Sequence, residues 1–267
     1  MLDRAALNNW FVCGKASAQA ALRLFCFPYA GGSASVFRGW SDTLPETVEV
    51  CAVQLPGRGS RLLEPTINSM PQLIEAVAQA LRPRLDKPCA FFGHSMGATI
   101  GLELARYVRS EWQVEPLHLF VSGSRAPQAR SREPATYDLP EAEFLEELRR
   151  LKGTPAEILD HPELMRLMAP VLRADFALAQ TYLYKTAAPL SCPITAFGGL
   201  ADKAVTERQL QAWQAQTIAR FSLRMIRGDH FFIHESQTLL LAAIAKELHR
   251  IVKRLERNAA LSSSENA

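Results

Sequence analysis

Six short, largely apolar stretches punctuate the chain: LRLFCF (22 to 27), VEVCAV (48 to 53), CAFFGH (89 to 94), LHLFVS (117 to 122), ITAFGG (194 to 199) and FSLRMI (221 to 226). Apolar character on successive residues, over spans this short, is what parallel strands covered on both faces look like. Between them the spacing turns helical. Residues 69 to 82 open with Ser69, a candidate N-cap, and place Leu73, Val77 and Leu81 four apart. Residues 96 to 109 do the same with Ile100, Leu104 and Val108, and 236 to 256 carry Leu240, Ile244, Leu248, Ile251 and Leu255 on one stripe. Strand and helix alternate, so the expected class is α/β, with the six strands in one sheet and residues 1 to 267 in one domain.

The interval from Arg125 to Leu190 breaks the alternation. It holds a polar, proline-containing loop and then EAEFLEELRRL and HPELMRLMAPVLRADFALAQTYLY, with helix breaks expected at Gly153 and Pro170. Such a segment is too long for a crossover. It is expected to be a helical lid at 125 to 190, because helices inserted over the strand C-termini of an α/β sheet wall the ligand crevice; the alternative is a subdomain that only pads the sheet. The tail, 258 to 267, is expected to be frayed.

Charge separates function classes. With 30 basic and 27 acidic residues and no basic run, nucleic acid is not an expected partner. No apolar run approaches a membrane span and MLDRAALNNWF lacks the apolar core of a signal peptide, so a cytoplasmic location is expected. Cys13, Cys26, Cys51, Cys89 and Cys192 are odd in number and form no Cys-x-x-Cys pair, which reads as reduced core thiols.

The chemistry centres on FFGHSMGATIGLELA, 91 to 105, which runs a strand into Gly-x-Ser-x-Gly and then into a helix. A strand, sharp turn and helix lift the Ser95 hydroxyl above the sheet edge, and Gly93 and Gly97 leave room for the tight turn. A serine hydroxyl needs a base and a group to orient that base, in the chain order Ser, acid, His for this arrangement. Of six histidines, His94 is inside the turn, His118 in a strand, His161 in the insertion and His249 on the last helix. His230, in RGDHFFIHES between the last strand and the last helix, is the candidate base, with His234 the runner-up. Asp202, just after ITAFGG, is the candidate acid; its other reading is a dipole partner for the helix near Glu207. Asp229 is too near His230 in sequence to reach the ring well. The backbone N–H groups of Met96 and of about Ala30, in FPYAGGS, are the candidate oxyanion donors.

With these residues in place the chain resembles the type II thioesterases of nonribosomal peptide and polyketide synthesis, members of the α/β-hydrolase superfamily. The resemblance spans nearly the whole chain, through NNWF, FPYAGGS, LPGRGSR, FFGHSMGA, LRRLKGTPAEIL, PELMRLMAPVLRADFALAQTY, FGGLADKAV and GDHFFIHE. It implies an α/β-hydrolase fold with a helical lid, a triad falling on Ser95, Asp202 and His230, and no cofactor or metal beyond the phosphopantetheine carried by the substrate. The implied partners are acyl or peptidyl carrier protein domains bearing acyl or aminoacyl thioesters, and the chain is expected to act as a monomer. Arg58, Arg61, Arg125, Arg130 and Arg132 would form a basic rim for an acidic carrier, or else a scattered solvated surface. Other readings remain open: a carboxylesterase or lipase, an acyltransferase using the same triad, and a non-catalytic scaffold of the same fold.

Overall fold

The computed structural model describes residues 9–14, 19–129 and 134–265, with side chains as far as Leu261. All six apolar stretches are strands of one sheet: β2 (Leu22–Phe27), β3 (Val48–Val53), β4 (Cys89–His94), β5 (Leu119–Ser122), β6 (Ile194–Gly199) and β7 (Phe221–Ile226). They are parallel, and a short strand β1 (Phe11–Cys13), not foreseen from the sequence, joins antiparallel to β3, giving the order β1-β3-β2-β4-β5-β6-β7. Three residues are too few to show a period of two, which is why β1 carries no legible signal.

Alternate side chains of each strand enter opposite layers. Phe25, Phe27 and Phe91 pack with Leu73 and Val77 of helix α1 (Met70–Leu81) and Ile100 and Leu104 of α2 (Met96–Trp112). On the other face Leu24, Cys26, Phe92 and Phe120 pack with Leu240, Ile244 and Leu248 of the last helix, which runs Gln237–Glu265. These are the stripes anticipated at four-residue spacing. Ser69 does stand at the N-cap of α1, but its side chain makes no capping bond. One of the two amides it would bind is missing, since Pro71 has no N–H.

Between β5 and β6 lie α3 (Glu141–Leu151), α4 (Ala156–Leu159) and α5 (Pro162–Gln180), built around a small core of Phe144, Leu148, Leu159, Met165 and Leu172. Gly153 separates α3 from α4, whereas Pro170 does not end a helix: α5 continues through it. Pro170 is solvent-exposed, so the carbonyl deprived of its partner one turn back, on exposed Arg166, is left on the wet side. The final helix, α6, runs to Glu265, so 258 to 265 continue as helix rather than fray, in keeping with the propensity of Ala259, Ala260 and Leu261. No described helix is long and apolar enough to cross a membrane.

The cysteines require one correction. Cys26, Cys89 and Cys192 are buried and free, but Cys13 and Cys51 stand opposite each other in the β1–β3 pair and are joined by a disulfide. Only the register of the unforeseen strand brings them together.

Candidate active site

The turn between β4 and α2 is tight enough to dictate its sequence. A Cβ on Gly93 would lie 2.1 Å from the carbonyl oxygen of Gly97, and one on Gly97 would lie 2.1 Å from that of Phe27. Both clashes are with backbone, which cannot swing away. We expect Gly97→Ala to be destabilised by about 3 kcal/mol, an overpacking penalty that lowers Tm by about 6–12 °C in a domain of this size. Gly101→Ala, four residues along, meets nothing nearer than 3.4 Å, and the gain in helix propensity should leave it neutral or up to about 1 kcal/mol more stable. Thermal unfolding of the two variants by circular dichroism makes the comparison.

Between the glycines, Ser95 sits at φ 53°, a conformation unfavourable by about 1–3 kcal/mol for a residue with a side chain. Its N–H donates to the Ser122 carbonyl at 2.8 Å and its carbonyl accepts from Ala98 at 3.0 Å, which hold the strained turn in place. The hydroxyl stands half-buried at the C-terminal end of the sheet.

Asp202 and His230 come to it from the ends of β6 and β7, across β5. The loops after β6 and β7 are laced together, with Leu200 N–H bonded to Ile226, Ala201 N–H bonded to Gly228, and no space for a Cβ on Gly199. His230 Nε2 lies 3.2 Å from Ser95 Oγ, and Nδ1 lies 2.9 Å from Asp202 Oδ2. The second carboxylate oxygen accepts from Ala204 N–H at 2.8 Å and Val205 N–H at 3.1 Å. Burial by itself would raise the Asp202 carboxyl, but the bond from His230, that ring's charge and the two amides outweigh it and hold the group below the ordinary carboxylate range. An ionised Asp202 places the proton on Nδ1 and leaves Nε2 to accept from the serine. Asp202 does not cap the helix that follows. Thr206 does so, in a capping box with Gln209.

Two further histidines lie near this relay. His234 shares a hydrogen bond with the Tyr29 hydroxyl at 2.8 Å. Asp229 accepts from Phe231 N–H at 2.7 Å. His94 is fully buried, with Nε2 3.0 Å from the His230 carbonyl and Nδ1 2.9 Å from Ser122 Oγ. A carbonyl only accepts, so Nε2 carries the proton and Ser122 donates to Nδ1. Burial foremost, then the charge of His230, pushes this imidazole well below the usual histidine range, so it stays neutral and braces the backbone of His230.

The Met96 N–H begins α2 and the Ala30 N–H lies in the turn after β2; among the described residues neither has a hydrogen-bond partner. Unpaired amides beside a serine are what a developing oxyanion requires. Next to Ala30, the turn at Tyr29 and Gly31 faces Gly153, Thr154, Pro155, Met168 and Leu172 of the insertion across a cavity of about 140 Å³.

The arginines behave differently from a basic rim. Arg58 is buried and its guanidinium pairs with Asp175 of α5, which is fully buried. Arg61 is also buried, forks onto the Glu64 carboxylate and lies 3.9 Å over the Trp10 ring. Arg125 is half-buried, and Arg130 and Arg132 lie outside the described residues. Arg58 and Arg61 therefore do not form the exposed rim expected of LPGRGSR: both guanidiniums are buried, Arg58 paired with the buried Asp175 and Arg61 with the partly exposed Glu64. Asp175 was not anticipated at all. A signal existed in α5, where Val171, Leu172, Asp175 and Leu178 share one buried face and only one of them is charged.

A model of the thioesterase domain matches residues 22–252. The gramicidin S biosynthesis protein GrsT of Aneurinibacillus migulanus is 46% identical over 246 residues, 92% of this chain and 96% of its own length. Among solved structures, the RedJ thioesterase from the prodiginine biosynthetic pathway in Streptomyces coelicolor matches with a TM-score of 0.81 at 42% identity, covering 85% of this chain and 91% of its own. The type II thioesterase BorB from the borrelidin biosynthetic cluster matches with a TM-score of 0.82 at 35% identity, covering 90% and 98%.

Proposed function

Since the chain belongs to the thioesterase family, and is thus a thioester hydrolase of the α/β-hydrolase fold, we propose that it hydrolyses acyl and aminoacyl thioesters carried on the phosphopantetheine arm of carrier proteins, as an editing enzyme of nonribosomal peptide or polyketide synthesis. The observation that carries the catalytic part is the continuous relay from Asp202 through His230 to Ser95, with heavy-atom separations of 2.9 and 3.2 Å. The substrate class is supported by the gramicidin, prodiginine and borrelidin pathways named for its relatives.

In this mechanism His230 Nε2 takes the Ser95 proton as Oγ attacks the thioester carbonyl. The carbonyl oxygen gains negative charge opposite the Met96 and Ala30 amides, and the pantetheine thiol leaves with the proton from His230. Water, deprotonated by the same ring, then attacks the acyl-enzyme and releases the free acid. Asp202 keeps the imidazole in the tautomer that both steps need and stabilises its cationic form. The enzyme contributes side chains and amides to this sequence and draws on no metal or nucleotide of its own; it acts as a monomer, in the cytoplasm with its carrier partners. The helices of 125 to 190 serve as the lid over the entering arm.

Incubation with carrier proteins loaded with acetyl, longer acyl and aminoacyl groups, beside matched oxygen esters, tests the reading. The expected products are free acid and holo-carrier, with higher kcat/KM on the carrier thioesters. A preference for the oxygen ester would place the enzyme among carboxylesterases, and a mass spectrum dominated by transfer products would replace hydrolysis with acyl transfer.

A further inference from the structure

Three segments distant in sequence meet at the Asp175 carboxylate. It accepts from the Gly31 N–H at 2.7 Å, from Arg58 Nη2 at 2.7 Å and from Arg58 Nη1. Arg58 Nη1 also donates to the Gly32 carbonyl at 3.3 Å, and the Arg58 carbonyl accepts from Gln54 Nε2 at 2.8 Å. The turn after β2, the loop after β3 and helix α5 of the insertion are thus tied by one buried network.

The turn itself shows what that network does. Gly32 N–H donates to the Tyr29 carbonyl at 2.9 Å, closing a four-residue turn with Ala30 and Gly31 at its centre and Gly31 at φ 80°, the conformation of a type II turn. That bond holds the Tyr29 carbonyl at the start of the turn, and the Ala30 N–H that follows has no hydrogen-bond partner among the described residues. Asp175 holds the next peptide, Ala30–Gly31, by its N–H. Leu172, three residues before Asp175 on the same face of α5, approaches so closely that a Cβ on Gly31 would lie 2.6 Å from its Cδ2. Type I and type II turns differ by a flip of this central peptide, so an acceptor on the Gly31 N–H selects one of them.

We infer that Asp175 is a positioning residue for the oxyanion turn, through which the seat of insertion helix α5 holds in place the turn that carries the Ala30 amide. The inference rests on the serine acyl-enzyme reading above. Arg58 completes the device: it neutralises the carboxylate, so no unpaired negative charge stands behind a site where negative charge develops. A displacement of α5 removes the acceptor and Leu172 together, so the anion-binding turn is assembled only when the insertion is seated.

The test exploits two ways of disturbing the pair. Asp175→Asn keeps an oxygen for the Gly31 N–H but leaves Arg58 buried without its counter-charge. Arg58→Met/Asp175→Leu removes both charges, which often leaves stability unchanged or improved, but it also removes the acceptor. We expect the double variant to lose about 10²-fold in kcat, with KM little changed, since misplacing a group by about 1 Å costs that much. Its affinity for an alkylboronic acid, which forms a tetrahedral anion on Ser95, should fall in parallel. Asp175→Asn should stay within about tenfold of the parent in both, although its Tm is the lower of the two, because an amide oxygen still accepts from the Gly31 N–H while Arg58 has lost its counter-charge. A double variant with parental kcat, or activities that follow Tm and not the acceptor, overturns the inference. Arg58→Met/Asp175→Ala answers the same question if the leucine prevents folding. Ser95→Ala is assayed alongside: if it is inactive while the double variant is unimpaired, this inference alone falls, and if it retains activity, the acyl-enzyme reading falls first.

Discussion

Ser95→Ala reduces kcat on a carrier-bound thioester by about 10⁶-fold, the loss expected when a serine and its base act as a unit. The residue is held at φ 53° by a turn whose glycines admit no side chain, and its hydroxyl lies 3.2 Å from His230. Alanine fits that turn as well as serine does, so the variant should fold with a Tm near the parent's and bind the loaded carrier with similar affinity. Rapid-quench and steady-state assays of purified protein measure it, and trapping of a radiolabelled acyl group on the parent enzyme but not on the variant completes the case. Activity within a few fold of the parent would mean that the nucleophile is elsewhere.

Asp202→Asn has the second largest expected effect, about 10⁴-fold in kcat, and the direction can be derived atom by atom. Oδ1 accepts two backbone N–H groups, from Ala204 and Val205. An asparagine must therefore keep its carbonyl oxygen there and turn its NH₂ toward His230 Nδ1. A donor facing Nδ1 strips that nitrogen of its proton and moves it to Nε2, where it points at Ser95 and leaves no base. KM and Tm should change little, since shape and the two amide bonds persist. In the parent, the Asp202 carboxyl lies below its unfolded-state value, so its charge contributes to stability above the ordinary aspartate range and that contribution is lost only as pH falls through the lower folded-state value. Neutral pH thus leaves this member of the relay ionised. Unimpaired turnover in the asparagine variant would show that the imidazole does not depend on the carboxylate for its tautomer.

The legibility of these features followed their physics. Strands β2 to β6 could be read because a parallel strand covered on both faces is largely apolar on successive residues, the partly buried edge strand β7 because its run stays mostly apolar, and α1, α2 and α6 because a half-covered helix must repeat every three to four. The turn at Ser95 was visible since a steric demand for glycine on both sides is local. His230 and Asp202 were reachable because each follows its strand end directly. In contrast, LPGRGSR reads as a solvated basic loop until Asp175, 117 residues from Arg58, is placed beside it. His94, which the sequence places only inside the turn, meets the His230 carbonyl, 136 residues away, solely through the fold.

The succession of strands β2 to β7 and the helices between them, the position of the turn at Ser95 and the candidacy of Ser95, Asp202 and His230 were legible in the chain itself, because each is written in a local pattern of polarity, glycine or spacing. Folding decided the rest: which buried carboxylate neutralises Arg58, which carbonyl the buried His94 meets, and which cysteines face each other. Those outcomes depend on how ionised and hydrogen-bonding groups find partners once water is excluded, and a group's partner in the interior is set by the register and packing of whole elements, which no short window of sequence contains.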